Sequence, residues 1–238
     1  MSTTAPIQPV AQTSSAKMLQ AMVGIGIMCA LLIVLTFEGT LPRIERNKAE
    51  ALEKAIFKVV PGITSKQTFA LSSDNQFSLV PDDSDANQLV YAGYDADDKL
   101  VGLAIEASGM GFADVIRILY GYDVEREKII GFYVLESKET PGLGDKIEKD
   151  PSFLANFEAL DVSLTDDKRT VENKIVPVKH GNKENPWEVD GITGATISSR
   201  AIGNILGEST GSWAPKLAMN QKVFATKQPQ KSERDGSE

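Results

Sequence analysis

Hydrophobic and polar positions are sharply segregated along this chain. From Met18 to Phe37 a run of 20 residues carries no charge, and at roughly 1.5 Å of rise per residue such a helix matches a hydrocarbon core of about 30 Å. The run predicts a transmembrane helix over 18–37, preceded by a short tail, 1–17. A cleaved signal peptide is the competing reading. Its apolar region is usually about 7–15 residues and ends in a small-x-small site, and Glu38-Gly39-Thr40-Leu41-Pro42-Arg43 offers none. After Pro42, Ile44, Leu52, Ile56, Val59 and Val60 fall on helical spacing, Glu50 and Lys54 stand at i, i+4, and Pro61-Gly62 ends the run. An amphipathic linking helix is expected within 38–62.

Beyond it, residues 71–88 are rich in Ser, Asp and Asn and read as a surface loop. Strand-like runs follow at short spacing: Leu89 to Tyr94, Leu100 to Ala107, Val115 to Tyr122 and Lys128 to Leu135. Charged turns such as Asp95-Ala96-Asp97-Asp98 separate several of them and favour antiparallel pairing. A short helix is predicted around Pro151 to Leu160, with Phe153, Leu154 and Phe157 on one side. A later helix carries the apolar stripe Ile197, Ala201, Ile202, Ile205 and Leu206 and is ended by Gly207. Met219 to Glu238 is mostly polar and reads as a disordered tail. The pattern predicts an α+β chain: a single N-terminal transmembrane helix, then a domain over 63–218 with a mostly antiparallel sheet and flanking helices.

Charge and cysteine content narrow the chemistry. The 238 residues carry a formal net charge of -8, and Lys17 is the only charged residue before Glu38. No segment concentrates the basic face that phosphate contacts need, so no nucleic-acid partner is expected. Cys29 and His180 are the only residues of their types, which excludes an intrachain disulfide and a cysteine-based zinc or iron-sulfur site; no metal site is expected. Carboxylates, hydroxyls, backbone amides or a borrowed cofactor remain. Arg43, Arg46, Lys48, Lys54 and Lys58 follow the span, so the charge rule taken alone places the large domain in the cytoplasm. Long domains translocate largely regardless of that rule, and both orientations stay open.

Three segments carry candidate chemistry. Trp187 to Arg200 gathers hydroxyls and small residues at a predicted helix start. Such a start offers unpaired amides and a positive dipole end to an anion, and Gly194 lets a bulky phosphate approach. A plain N-cap by Thr193 or Thr196, with no ligand, fits the same residues. Glu139-Thr140-Pro141-Gly142-Leu143-Gly144-Asp145-Lys146 directly follows a strand; its two glycines allow close backbone approach to a flat ligand, or form an ordinary Pro-Gly turn. Ser108-Gly109-Met110-Gly111-Phe112 links two strands through glycines. His180 reads as a surface residue, and Trp187 and Trp213 as packing residues.

Asp190-Gly191-Ile192-Thr193-Gly194-Ala195-Thr196 resembles the flavinylation motif of FMN-binding domains, Asp-x-x-Ser/Thr-Gly-Ala-Thr, and Glu139 to Gly144 resembles the Glu-Thr-Pro-Gly-Leu-Gly loop of the same family. With one N-terminal span and this order of segments, residues 15–212 are similar to the G subunits of Rnf-type electron-transport complexes. They are more distantly similar to the C subunits of sodium-translocating NADH:quinone reductases. The resemblance implies FMN as cofactor, joined through its phosphate to Thr196 by a separate flavin transferase. It assigns Asp190, Thr193, Gly194, Ala195, Ile197 and Ser198 to the attachment segment. Glu139, Thr140, Gly142, Leu143 and Gly144 would lie against the isoalloxazine ring, with Gly109, Met110, Gly111 and Phe112 packed near it. Many relatives carry a His where this chain has Ser137, so no imidazole contact carries over.

The same resemblance implies an electron carrier in a membrane complex that couples electron flow between ferredoxin and NAD to ion movement. Its partners would be the other membrane and peripheral subunits, and its place the cytoplasmic membrane, single-pass, with the flavin domain on the outer, periplasmic side. No catalytic set is expected in the chain; enzymatic activity would belong to the assembly. Two other classes stay open: a membrane-anchored FMN domain that reduces its own small substrate, and a structural anchor whose Thr-Gly-Ala-Thr is only a helix cap.

Overall fold

The computed structural model describes residues 15–82, 84, 86 and 88–229. The expectations for 1–14 and 230–238 lie outside the described residues. The chain divides into two compact units, Met1–Glu50 and Ala51–Glu238. Helix α1, Ser15–Val59, is long and apolar enough to cross a membrane by length and composition. It runs unbroken through Pro42, where the sequence suggested a junction between span and linking helix. A proline inside a helix removes one hydrogen bond and costs about 3 kcal/mol, which the remaining turns of a 45-residue helix outweigh.

The domain is built on a seven-stranded antiparallel sheet in the order β2-β1-β3-β4-β5-β6-β7. Its strands are β1 Ser65–Leu71, β2 Phe77–Val80, β3 Leu89–Tyr94, β4 Leu100–Met110, β5 Val115–Asp123, β6 Lys128–Glu136 and β7 Leu160–Asp161. The strands foreseen from alternation are β3 to β6. Strand β2 corrects the expectation of a surface loop over 71–88: Phe77 is buried and pairs with Leu71, so the polar run Ser72 to Gln76 is only the hairpin turn. A separate parallel pair joins β8, Val176–Val178, to β9, Glu188–Asp190.

Period-two alternation gives the sheet two apolar faces. On one, Val90, Ala92, Leu103, Ile105, Ile118 and Tyr120 join the main core beneath the last long helix. On the other, Tyr91, Ala104 and Leu119 meet Ala55, Ile56, Val59 and Val60 from the end of α1 and the residue after it. That approach is close. Gly121 and Gly131 are cross-strand partners on β5 and β6, and a Cβ on either would stand 2.0 or 2.2 Å from the Val59 carbonyl oxygen.

Helix α2, Pro151–Leu154, is capped by Asp150, which accepts from the amides of Ser152 and Phe153, and continues as a 3-10 turn, Ala155–Phe157. It is shorter than the helix expected to Leu160, because Leu160 leaves to pair with Ile129 as β7. Phe157 stacks on Phe132 at 4.4 Å between ring centroids, which places this segment over β6.

Helix α3, Thr196–Met219, passes straight through Gly207. That glycine serves close packing: a Cβ there would lie 2.9 Å from the Ile175 carbonyl oxygen. Ile197, expected in the buried stripe, is 56% exposed. Over 220–229 the chain after α3 is ordered, which corrects that part of the expected disordered tail. Helix α4, Gln221–Phe224, buries Phe224 against Phe69 and Phe77, with centroids at 5.0 and 4.9 Å. Gln228 then exchanges two hydrogen bonds with Gln67 of β1. Burial of one aromatic ring orders a segment whose average polarity suggested otherwise.

Candidate functional site

Three segments distant in sequence meet at the end of β4: the β4–β5 turn, the loop after β6, and the first turn of α3. Glu139 joins them. It is 6% exposed; Oε1 accepts from the amides of Phe112 and Ala113 at 2.8 and 2.9 Å, and Oε2 accepts from the Ser198 hydroxyl. Burial by itself pushes a carboxyl pKa up; here the Ser198 hydroxyl and the amides of Ala113 and Phe112 outweigh it, and Glu139 is held below the ordinary glutamate value. Its own amide donates to Ser137 Oγ at 3.2 Å.

The carboxylate also explains two glycines. A Cβ on Gly111 would lie 2.5 Å from Glu139 Oε1, and one on Gly144 would lie 2.5 Å from Oε2 and 2.9 Å from Ser198 Oγ. Sequence reasoning assigned the glycines of this loop to ligand approach. For Gly144 the close neighbour is instead Glu139, whereas Gly142 has open space and a φ of +78°, the left-handed turn conformation that glycine tolerates best.

Thr196 is the first residue of α3, preceded by Ala195 as N-cap, so neither Thr193 nor Thr196 caps the helix. The Thr196 hydroxyl is exposed and has no partner among the described residues. The first intrahelical amide bond is Ser199 to Ala195, which leaves the amides of Thr196, Ile197 and Ser198 without an acceptor in the described chain. Three free donors at the positive end of a 24-residue helix suit an anion. Gly194, at φ +84°, turns the chain into this start, and Lys146 Nζ lies 3.8 Å from where its Cβ would stand. Lys146 has no ion pair among the described residues, so one cation remains for an incoming negative group.

Phe112, Glu139, Thr140, Leu143, Gly144, Gly194, Ala195, Thr196, Ile197 and Ser198 line a cavity of about 300 Å³, at the small end of the roughly 300–1,000 Å³ usual for small-molecule pockets. Phe112, Leu143 and Ile197 are 61%, 52% and 56% exposed. Apolar walls beside a free hydroxyl, free amides and a cation fit a flat aromatic group carrying a phosphate.

The remaining candidate residues lie elsewhere. Gly109 packs against Ile205, 2.6 Å from its would-be Cβ, and the Met110 side chain is exposed outside the cavity lining. Gly111 lies behind Glu139. Asp190 and Thr193 line a separate notch of about 130 Å³ with Lys146, Asp150 and His180. There Asp190 accepts from the Gly181 amide at 2.7 Å and its backbone is tied to Asn156, so it braces the segment that delivers Thr196. His180 is exposed, with Nδ1 3.0 Å from the Gly191 carbonyl oxygen.

Sequence reasoning missed Ala113 and Asn156, and it gave no role to Lys146. Nothing local marks the first two, whose partners lie 26 and 34 residues away. A larger groove of about 450 Å³ runs along β6 beside Leu154 and Phe157. It contains neither a hydroxyl at a helix start nor any motif residue, so chemistry rather than size selects the smaller cavity.

Residues 111–209 match the FMN-binding domain family, the segment that contains all three walls of the cavity. The class of protein is therefore one that carries an FMN-binding domain. More narrowly, the chain belongs to the family of G subunits of ion-translocating oxidoreductase complexes. It is 30% identical to the G subunit from Methanosarcina acetivorans over 186 residues, 78% of this chain and 87% of the relative. To the G subunit from Escherichia coli it is 31% identical, over 66% of this chain and 71% of the relative.

Two solved structures share the fold. The crystal structure of NqrC from Shewanella oneidensis has a TM-score of 0.58 at 18% identity, covering 75% of this chain and 96% of that one. The C subunit of the Na(+)-translocating NADH-quinone reductase from Parabacteroides distasonis has a TM-score of 0.56 at 20% identity, covering 73% and 96%.

Proposed function

We propose that this protein is a membrane-anchored flavoprotein subunit that holds FMN as a phosphoester on Thr196 and relays electrons inside an ion-translocating oxidoreductase complex. The observation that carries the reading is the unpartnered Thr196 hydroxyl, at the start of a helix with three free amides, opening on an apolar cavity. When bound, FMN supplies reversible electron transfer. The chain supplies position. Thr196 Oγ1 would carry the phosphate, the amides of Thr196 to Ser198 and the Lys146 ammonium would offset its charge, and Phe112, Leu143 and Ile197 would take the ring.

The relay reading follows the family, whose members are subunits of a larger complex. By family analogy the electron path runs between ferredoxin and NAD, the partners are the other subunits of the complex, and a flavin transferase installs the cofactor. We place the domain on the outer side of the cytoplasmic membrane. At about 200 residues it is long enough to translocate regardless of flanking charge; protease that digests it in intact spheroplasts supports this, and digestion only after lysis refutes it.

The test is the intact mass of the full chain co-expressed with a flavin transferase, beside Thr196→Ala. A mass increase of one FMN less water in the parent, absent from the variant, supports the assignment. Flavin that stays attached in Thr196→Ala refutes the attachment site. No flavin in the parent leaves the structural-anchor reading, and flavin with turnover of a small electron acceptor by the isolated protein supports the reductase.

A further inference from the structure

We infer that Glu139 is a positioning residue of the flavin site, a buried clamp that holds the three cavity walls in register and makes no bond to the cofactor. This rests on the FMN reading above for its functional consequence, but the clamp itself is a property of the chain.

Both carboxylate oxygens are engaged by the chain itself. Oε1 receives two amides from the β4–β5 turn, and Oε2 receives the hydroxyl of Ser198 in the first turn of α3. Glu139 itself stands at the head of the Thr-Pro-Gly-Leu-Gly loop. One side chain therefore ties segments 27 and 59 residues away from it. The space around it is closed by Gly111 and Gly144, neither of which has room for a Cβ beside the carboxylate oxygens. Each tied segment contributes an exposed apolar wall close to its bond: Phe112 itself, Leu143 beside Gly144, and Ile197 beside Ser198. Removing the tie frees these walls from one another without touching Thr196. A buried carboxylate whose donors are all its own chain's is a framework group.

The experiment compares Glu139→Ala and Glu139→Gln with the parent full chain in detergent, first without flavin and then flavinylated. Glutamine preserves the clamp as a neutral isostere, because its oxygen can accept the two amides while its NH₂ donates to Ser198 Oγ. Without flavin, hydrogen exchange at the amides of Phe112 and Ala113 is expected to rise at least tenfold in Glu139→Ala, with faster exchange in 139–146 and at the Ser199 amide, which donates to the Ala195 carbonyl, and no change in the centre of β3 to β5. In Glu139→Gln these amides keep their protection. With flavin attached, Glu139→Ala loses most of the visible circular dichroism of the ring while the mass shows FMN still on Thr196, and Glu139→Gln keeps it.

Unchanged exchange at Phe112 and Ala113 in Glu139→Ala overturns the clamp. Faster exchange with unaltered flavin dichroism overturns its positioning role. If Glu139→Ala fails to fold, Ser198→Ala decides: faster exchange at Phe112 and Ala113, across the clamp, supports the inference, and unchanged exchange overturns it. A parent chain without flavin would refute the FMN reading and leave the exchange arm to stand or fall by itself.

Discussion

Gly142 and Gly144 flank the same leucine, yet the structure gives them different reasons to be glycine, and alanine at each should separate them. At Gly144 the new methyl would stand 2.5 Å from Glu139 Oε2, 2.9 Å from Glu139 Cβ and 2.9 Å from Ser198 Oγ. Relief requires the buried carboxylate or the serine to move. Overpacking costs about 1–3 kcal/mol, and a broken buried hydrogen bond to Glu139 adds about 1–3 kcal/mol. At Gly142 the methyl meets nothing within 4 Å, but φ is +78°. The left-handed conformation costs a non-glycine residue roughly 1–2 kcal/mol, part of which is offset by about 0.4–1 kcal/mol of lost unfolded-state entropy.

Urea denaturation of the full chain in detergent, followed by the fluorescence of Trp187 and Trp213, reads the difference. With an m-value of roughly 2 kcal/mol/M, Gly144→Ala at about 3 kcal/mol lowers the midpoint by about 1.5 M. Gly142→Ala lowers it by about 0.8 M or less. A Gly144→Ala midpoint within about 0.3 M of the parent, or a larger loss for Gly142→Ala, would refute the assignment of Gly144 to the Glu139 clamp.

Two other outcomes are expected. Phe224→Ala should cost about 3–5 kcal/mol, because the ring is fully buried between Phe69 and Phe77; a loss under about 1 kcal/mol would mean that the segment after α3 is not part of the core. The stabilisation due to Glu139 ionisation should depend on pH in one direction. Its folded pKa is lowered from the ordinary 4.5, so the contribution is fully present above that value and is lost as pH falls through the lowered one. The stability gap between the parent and Glu139→Gln should therefore be flat at neutral pH and narrow below about pH 4.5, and a gap that stayed constant down to about pH 3 would contradict this.

The elements with a sustained apolar signal were legible in the chain: the uncharged run of α1, strands β3 to β6, and the start of α3. The motif Asp190 to Thr196 likewise marked a helix start, because hydroxyls and glycine in that order are a local signal. What periodicity cannot carry is the partner. Strand β2 has four residues and one buried phenylalanine, too little alternation to register, and α4 owes its order to a single ring that finds Phe69 more than a hundred residues earlier.

Local punctuation also misled: α1 continues through Pro42, and α3 continues through Gly207, where close packing against Ile175 sets the residue. At the site, sequence supplied Glu139, Thr196 and the glycines but not their division of labour. That Asp190 braces, that Gly144 makes room for a carboxylate, and that Glu139 gathers three walls are facts of tertiary structure. A hydrogen bond between residues 59 positions apart leaves no trace in the spacing of either one's neighbours.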